Sequence, residues 1–576
     1  MCLTLSPLAA TQLIAADELV KARSGSAISV FENRIADQLM TQIDNDFALL
    51  PMDGLGLEYR VARIVGSRLA VLAHYQQQID SLDPKLLDPN NSLRLAALQA
   101  TQQQLQQQRD YATQDAALSP YHGPHIDLLR LVSLLPINPN STATGPLDQT
   151  NPDDGISPLL AELALLGRTL NKPVILSPLM TTQECITVIA SLTQAVEAKQ
   201  LTDSLDLRLL DAGVDAATRR DYHDKFSATL QQHVLPGLTK LADGLSCDDV
   251  GPGTDLAYYA YRLQRFGAAQ RHADAVHALG QKALGDLQIE ITLLWQSLHA
   301  ENPADHPTLA EIRKDALLYL GTTAAARQGH LSRLSDLVIS VQKQLAATVL
   351  DLALPDLEII AEPDLLAASS LPFTYRFTRG GPAQLAVNFN STASFSQHQL
   401  VARTYYSTIP GQHLVRHGFV NRADRQASPL LGIADNPAYF DGWPLYLTNL
   451  LLNDASQISL TRLGLLELNA EMSAMLVIDT GLHELGWSRQ AAINFLITNT
   501  VMATYHAERL VDEVRFRPAS MNSTYLGMTQ IETLLADASG QNRDNKPSLS
   551  WQAALAAGPV TASLQQALRD WLTERQ

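Results

Sequence analysis

The chain has 576 residues, of which 46% are hydrophobic and 6% aromatic, and its 42 basic and 59 acidic residues give a formal net charge of −17 at pH 7. The acidic excess argues against nucleic acid or an anionic membrane surface as a partner. No apolar run reaches the roughly 18 residues that a transmembrane helix needs. The composition therefore predicts a large globular protein with a sizeable core.

The chain opens with the short apolar segment Met1–Ala10, which lacks a basic region and is interrupted by Pro7. It is not a complete signal peptide. A trimmed signal and an ordinary cytoplasmic start both stay open, so the compartment is periplasmic or cytoplasmic. Cys185 and Cys247 form no C-x-x-C pair, and we expect them to be buried thiols.

Helical periodicity dominates the first 354 residues. Residues 1–136 read as an N-terminal helical region, in which Leu93–Asp115 is a long, solvated helix rich in Gln and Ala. Residues 137–157 carry the runs Asn138–Ser141 and Asn151–Gly155 and are predicted to be a loop. Helices are expected again in residues 158–354.

Residues 355–576 begin with a change of pattern. Phe373–Phe377 alternates as a strand does, Gly380 and Gly381 indicate a turn, and Leu385–Phe389 reads as a second strand. A small hairpin or sheet is therefore expected. After Tyr439 the pattern is helical, with Ser488 as the N-cap of a helix that runs to Thr498; this completes the prediction of a mainly α fold.

Two later segments form recognisable motifs: Thr404–His413 (TYYSTIPGQH) and Phe440–Tyr446 (FDGWPLY). They resemble the H-E-x-x-P-G-H-H and E-G-W-A-L-Y motifs of the bacterial family of domain of unknown function 885, whose members are regarded as zinc metallopeptidases. Further segments are similar to the same family in the same order: Gly251–Tyr261, Val276–Gly280, Val477–Arg489 and Pro518–Gly527. Such an ordered set is much more specific than one short motif.

The resemblance implies a large two-lobed, gluzincin-like helical body with the small sheet beside the cleft. Residues 158–354 would then be the substrate lobe and residues 355–576 the peptidase-like lobe of one continuous unit. Many members of the family are exported, and some carry a lipidated N-terminal cysteine. By this resemblance Cys2 is a candidate lipoprotein N-terminus.

The chain departs from the family in the reactive positions. Tyr406 stands where the family has its first His, Ser407 where it has the catalytic Glu, and Gln412 where it has the next His. His413 is kept, and Asp441 replaces a Glu. A catalytic zinc needs about three N or O ligands and a nearby base for water. We therefore expect that zinc hydrolysis is lost and that no cofactor is needed.

The leading hypothesis is a pseudo-peptidase that binds a peptide or small amide-like ligand in the inherited cleft, with a protein partner as a further candidate. The candidate residues fall into two groups, catalytic and ligand-binding. The catalytic candidates are Tyr406, His413 and His483; the ligand-binding candidates are Gln412, Asp441, Tyr258, Tyr259 and Asn388.

Three alternatives stay open. His413 and His417 are spaced i, i+4, so with Asp441 they could hold zinc or another divalent metal. Tyr406 and His413 could instead act as a metal-free acid/base pair. Hydrolysis by groups outside the aligned motifs is the third. Separately, Val387–Asn390 could hold an extended peptide as an edge strand, or could simply roof the cleft.

Overall fold

The computed structural model describes residues 28–47, 57–135, 137, 155–172, 174–194, 199–251, 253–268, 271–299, 307–314, 323–346, 354–376, 383–389, 398–420, 436–453 and 459–540. This part of the chain is mainly helical, with one small sheet, which confirms the predicted class. The helices before the sheet are α1 (28–47), α2 (Glu58–Ser81), α3 (Pro89–Asp110), α4 (Ala112–Asp115), α5 (Pro124–Leu134), α6 (Ser157–Thr169), α7 (Thr182–Gln194), α8 (Lys199–Asp211), α9 (Ala216–Thr229), α10 (Leu235–Asp243), α11 (Leu256–Leu263), α12 (Ala273–Leu298), α13 (Leu309–Arg313) and α14 (Ala324–Ala346). The remaining helices are α15 (Asp364–Ala367), α16 (Gln399–Ser407), α17 (Gln412–Val420), α18 (Pro437–Leu452), α19 (Leu460–His483), α20 (Arg489–Asn499), α21 (Thr504–Phe516) and α22 (Asn522–Gly540).

Helix α3 covers most of the predicted Leu93–Asp115 helix, and α4 completes it after a break at Tyr111. The expectation of a solvated helix was wrong. Leu95, Leu98 and Leu105 are buried in a cluster with side chains of α1 and α2. The Gln and Ala residues favour a helix, but burial of these leucines against α1 and α2 supplies most of its stability.

Helices α5 to α10 share one apolar core, and most of the loop predicted for residues 137–157 lies outside the described residues. The prediction of two buried thiols was wrong. Cys185 of α7 and Cys247 form a disulfide across 62 residues of sequence. The pair escaped prediction because α7 is brought beside the short helical turn Cys247–Asp249 only by tertiary packing.

The sheet has three strands in the order β1 (Leu357–Ala361), β3 (Ala383–Val387) and β2 (Phe373–Arg376). Strands β2 and β3 are antiparallel, as the hairpin prediction requires, while β1 pairs with β3 in parallel. The edge-strand interpretation was wrong for Val387 and Asn388, because β3 is the central strand, and Asn390 lies outside the described residues. The Val387 carbonyl accepts from Glu362 N at 2.8 Å, and Asn388 N donates to the Pro372 carbonyl at 2.8 Å.

Helix α19 lies at the centre of the C-terminal half and is buried at every position from Leu463 to His483. Its polar side chains must therefore find partners inside the protein. Beside it, α18 and α22 cross very closely, since a Cβ added to Gly442 would overlap the backbone of Gly527. Within the described ranges, no helix is both long and apolar enough to span a membrane.

Candidate functional site

In the motif Val477–Arg489, the Asp479 carboxylate of α19 forms hydrogen bonds with residues of two other segments. Asp479 Oδ2 accepts hydrogen bonds from the Tyr259 hydroxyl at 2.8 Å and from Asn522 Nδ2 at 2.7 Å, and Oδ1 accepts from Ala519 N at 2.8 Å. Burial raises the pKa of Asp479 despite these donors. Asp479 therefore braces α11 and the start of α22 against α19, and the predicted ligand-binding residue Tyr259 is part of that brace.

His483, a predicted catalytic residue, is buried in the same network. Its Nε2 donates to the Val514 carbonyl at 2.9 Å, so Nδ1 of the neutral ring accepts from the Thr254 hydroxyl at 2.7 Å. Burial lowers the pKa of His483, although Asp479 opposes the effect. Both ring nitrogens are occupied, so His483 positions the backbone and has no ring nitrogen left for a ligand.

The remaining residues of this motif are also structural. A Cβ at Gly481 would press on the Trp487 ring, and Gly486 has a positive φ of 70°. Ser488 accepts from Ala491 N and caps α20, as predicted. Arg489 forms a bidentate ion pair with Asp512, at 2.7 and 2.9 Å. The strongest match to the family is therefore a folding element.

The first turn of α22 connects the three C-terminal motifs. Asn522 bonds to Asp479, Ser523 Oγ donates to Asp441 Oδ2 at 2.7 Å, and Thr524 Oγ1 lies 3.2 Å from the Tyr406 hydroxyl. Three consecutive side chains thus each contact a different motif. This turn brings Tyr406 and Asp441, both predicted from the sequence, into one polar cluster.

Asp441 of α18 accepts hydrogen bonds from Arg416 and Ser523. Its Oδ1 accepts from Arg416 Nη2 at 3.0 Å, and its Oδ2 accepts from Ser523. The guanidinium of Arg416 also lies 5.5 Å from the centre of the Phe440 ring, in a cation–π contact. The side chains of Arg416 and Asp441 are 28% and 21% exposed, so the pair is partly accessible to solvent.

Tyr406 points its hydroxyl toward this pair while its ring packs against apolar side chains. Burial raises the pKa of Tyr406, and the Asp441 carboxylate raises it further. Hydrogen bonds to Thr524 and Gln412 act in the opposite direction. The ring belongs to a cluster that includes Met472. The phenol therefore stays protonated at neutral pH and fills the position of the family's first histidine with an aromatic ring. We call Tyr406, Gln412, Arg416, Asp441, Ser523 and Thr524 the Tyr406–Asp441 cluster.

His413 of α17 contacts β2 through Tyr375 and the chain just before β1 through Pro355. Its Nε2 lies 3.1 Å from the Pro355 carbonyl, which can only accept, so Nδ1 accepts from the Tyr375 hydroxyl at 2.9 Å. The ring is fully buried. Tyr406 and His413 have different hydrogen-bond partners, and the acid/base pair stays a prediction for the hydrolysis test.

The candidate ligands of the metal alternative are His413, His417 and Asp441. His413 and Asp441 are committed to protein partners, and the side chain of His417 lies outside the described residues. Among the residues that the structure describes, no group of three or more His, Cys, Asp or Glu side chains could hold a metal ion. The metal alternative at His413, His417 and Asp441 stays a prediction for metal analysis.

Two predicted ligand-binding residues, Tyr258 and Asn388, have hydrogen-bond partners within the protein. The Tyr258 hydroxyl donates to Asp115 at 3.0 Å, beside the Arg262–Asp115 ion pair at 2.7 Å. Asn388 is 1% exposed and its amide donates to the carbonyls of Ala367 and Ser370, at 2.7 and 3.1 Å. The Tyr258–Asp115 bond links α11 to α4, and the Asn388 bonds fix the loop before β2.

Sequence reasoning missed Arg416, Ser523, Thr524 and Tyr375. Arg416 could have been found, because it follows Gln412 by four residues and so shares its helical face. Ser523 and Thr524 carry no such signal, since their partners lie over 80 residues away in sequence.

The fold and the motif positions define a mainly helical bacterial protein built around a buried central helix. The chain matches the family described as "Bacterial protein of unknown function (DUF885)" over residues 62–564. It belongs to this family. No protein with a curated description matches it.

Two solved structures share the fold. One is described as a "putative lipoprotein" from Colwellia psychrerythraea, with a TM-score of 0.70 and 15% identity over 96% of this chain and 99% of that one. The other is a "putative lipoprotein of unknown function" from Shewanella oneidensis, with a TM-score of 0.58 and 15% identity over 94% and 99% of the two chains. At this identity the likeness concerns the fold alone.

Proposed function

We propose that this protein binds a short peptide or small amide-like ligand at the Tyr406–Asp441 cluster without hydrolysing it. On this proposal the body is a metallopeptidase-like scaffold whose zinc chemistry has been lost. The observation that carries the proposal is the double engagement of Asp441 by Arg416 and Ser523. A carboxylate held by a guanidinium and a hydroxyl is a poor base for water, yet it remains part of a polar surface.

The composition of the cluster supports ligand binding. Tyr406 and Thr524 supply hydroxyls, and Gln412 supplies a carboxamide. Together they offer the donors and acceptors that an amide group needs on both its N–H and C=O sides. Met472 and the other apolar side chains around the Tyr406 ring supply a hydrophobic wall on one side.

The absence of a base at two aligned positions supports loss of hydrolysis. Ser407 cannot accept a proton as the family's Glu does, and Tyr406 keeps its proton because of burial. The disulfide between Cys185 and Cys247 further favours an oxidising compartment, such as the periplasm, for this binding protein.

The test combines binding and cleavage. Purified protein is titrated with a panel of dipeptides and tripeptides by isothermal calorimetry. The peptides are then recovered, and mass spectrometry shows whether they are intact. We expect saturable binding with intact recovery, and weaker binding to Asp441→Asn. Asp286→Asn, at an exposed ion pair with Lys282, is the matched control. Release of fragments by the wild type, lost in Tyr406→Phe or His413→Ala, would favour the repurposed-enzyme alternative instead.

A further inference from the structure

The Cys185–Cys247 disulfide joins two segments that each also contact the C-terminal half of the chain. Cys185 lies in the first turn of α7, and Cys247 begins the short helical turn after α10. The neighbour of Cys185, Glu184, forms a bidentate ion pair with Arg515 of α21, at 2.9 and 3.0 Å. The same guanidinium donates to the Leu179 carbonyl, just before α7, at 2.6 Å. The start of α7 is therefore fixed to α21 as well as to Cys247.

The segment after Cys247 reaches α21 by a second route. The Thr254 hydroxyl donates to Nδ1 of His483 at 2.7 Å, and Nε2 of His483 donates to the Val514 carbonyl at 2.9 Å. Val514 is the residue before Arg515. The disulfide, the ion pair of Arg515 and the two His483 hydrogen bonds thus form one closed ring of contacts through α7, α19 and α21.

Two apolar cores meet at this ring. Helix α7 packs in the core of α5 to α10, which includes Cys185. Helix α19 and most of α21 pack in a second core with α12 and α20. The links between the cores are buried, since Arg515 and His483 are each 4% exposed. In a closed ring each link limits the freedom that the others would release on breaking, so opening the disulfide frees the segments on both sides of it.

The two cysteines differ in their access to solvent. Cys185 is fully buried, whereas Cys247 is partly exposed between the exposed residues Ser246 and Asp248. An external thiolate can therefore reach the disulfide at Cys247. Departure of Cys185 as a thiolate is favoured by its place in the first turn of α7, where the helix dipole stabilises a negative charge.

We propose that the disulfide is a redox-sensitive lock that fixes α7 and the segment before α11 to α19 and α21, and that a dithiol opens it by attack at Cys247. One thiolate of the dithiol bonds to Sγ of Cys247, while Cys185 leaves with the electron pair and takes up a proton. The second thiolate then attacks the sulfur of the first and displaces Cys247, which is protonated in turn. The dithiol departs as a cyclic disulfide, and its electrons and protons remain on the two protein thiols. The lock is separate from the Tyr406–Asp441 cluster and does not depend on ligand binding there.

The point of attack is tested with a thiol that cannot form a cyclic disulfide. The folded protein is treated with mercaptoethanol, quenched with acid, digested and mapped by mass spectrometry. We expect the mercaptoethanol adduct on Cys247 and a free thiol on Cys185. An adduct on Cys185 would overturn the proposal, and so would a disulfide that neither mercaptoethanol nor dithiothreitol reduces in the folded protein.

The lock itself is tested by hydrogen exchange on the full chain before and after reduction by dithiothreitol. Exchange in α7, α11 and the last turn of α19 should rise roughly tenfold or more above any rise in α2 and α3, whose core is separate from the ring. Reoxidation should reverse the effect, and near-UV circular dichroism verifies that the reduced protein is folded. An equal rise throughout the chain, no rise, or loss of the folded state on reduction would each overturn the proposal.

Two variants test whether the links belong to one ring. Thr254→Val removes the bond to His483, and Glu184→Gln weakens the ion pair with Arg515, while both keep the disulfide. Each should raise exchange in the oxidised protein, and reduction should then add less than it adds to the wild type, because the ring is already open. Thr533→Val, which removes an exposed hydroxyl bond on α22, is the matched control and should respond to reduction as the wild type does. Full additivity in both ring variants would mean that the links act independently, contrary to the proposal.

Discussion

The Tyr375 hydroxyl lies 2.9 Å from Nδ1 of His413, and this contact joins strand β2 to helix α17. The opposite ring nitrogen donates to the Pro355 carbonyl, which immediately precedes β1. The ring thus fastens the sheet to the helix that carries Gln412 and Arg416.

His413→Ala is therefore expected to lower stability and leave metal content unchanged. Loss of two buried hydrogen bonds and a ring from the interior should reduce the free energy of unfolding by about 2–4 kcal/mol. Urea denaturation and elemental analysis measure the two quantities. His272→Ala, at an exposed helix start with no side-chain capping bond, is the control. A stoichiometric metal that disappears in His413→Ala would contradict this account.

The disulfide gives a second prediction. Cys185 and Cys247 close a loop of 62 residues, for which chain-entropy arguments give a stabilisation of about 4 kcal/mol. Cys185→Ser, Cys247→Ser and the double variant should all be destabilised to the same extent, since each breaks the same bond. Denaturation with and without a reductant measures this effect. An additive loss in the double variant, or a wild type that is insensitive to reduction, would show that the bond does not stabilise the fold.

Local patterns predicted much of this fold. The helices and the β2–β3 hairpin follow from residue spacing, turn residues and an N-cap at Ser488, all of which act over a few residues. Strand β1 and the cysteine pair were missed because their partners are distant in sequence. The parallel partner of Leu357 is Ala383, for example, and Cys185 pairs with Cys247.

The candidate site was predicted in part, for a related reason. Tyr406 and Asp441 were found by their place in motifs, and they do lie in one cluster. His483 and Tyr259 were found by the same route, but His483 bonds to the Val514 carbonyl and Tyr259 to the Asp479 carboxylate. Asn388 was predicted from the strand pattern, and its amide bonds to backbone carbonyls. A motif shows that a position is constrained, and only its contacts distinguish a bracing side chain from one that faces a ligand.

The close crossing of α18 and α22 gives a third prediction. A glycine-to-alanine substitution should lower the stability of the protein at Gly442 and raise it at Gly285. At Gly442 an added methyl would overlap the backbone of Gly527, so Gly442→Ala should destabilise by about 2 kcal/mol or more. At Gly285, inside α12, a methyl added to the backbone would meet no atom within 4 Å, so Gly285→Ala should stabilise by up to about 1 kcal/mol through helix propensity. Melting temperatures of the two variants decide the point. Equal shifts in one direction would mean that the close crossing does not exist.

The last prediction concerns a buried carboxylate on the central helix. Glu471 is paired with Arg403 and lies 3.3 Å from Nε2 of His506. Burial alone would raise the pKa of Glu471, but Arg403 and His506 outweigh it and lower the pKa from 4.5 to about 2. Because the folded pKa lies below the unfolded one, the pairing stabilises the protein above pH ~4.5. This contribution is lost as the pH falls toward 2.

The size of this contribution follows from the shift. A pKa of Glu471 that falls from 4.5 to about 2 on folding corresponds to roughly 3 kcal/mol of stabilisation at neutral pH. Glu471→Gln should therefore destabilise the protein at pH 7 and flatten the fall in stability between pH ~4.5 and 2. Urea unfolding at a series of pH values measures both effects, with the exposed Asp286→Asn as control. If the free energy of unfolding of Glu471→Gln falls as steeply between pH ~4.5 and 2 as that of the wild type, another carboxylate governs acid unfolding. The contacts of Glu471 with Arg403 and His506 would then stabilise the protein much less than their burial indicates.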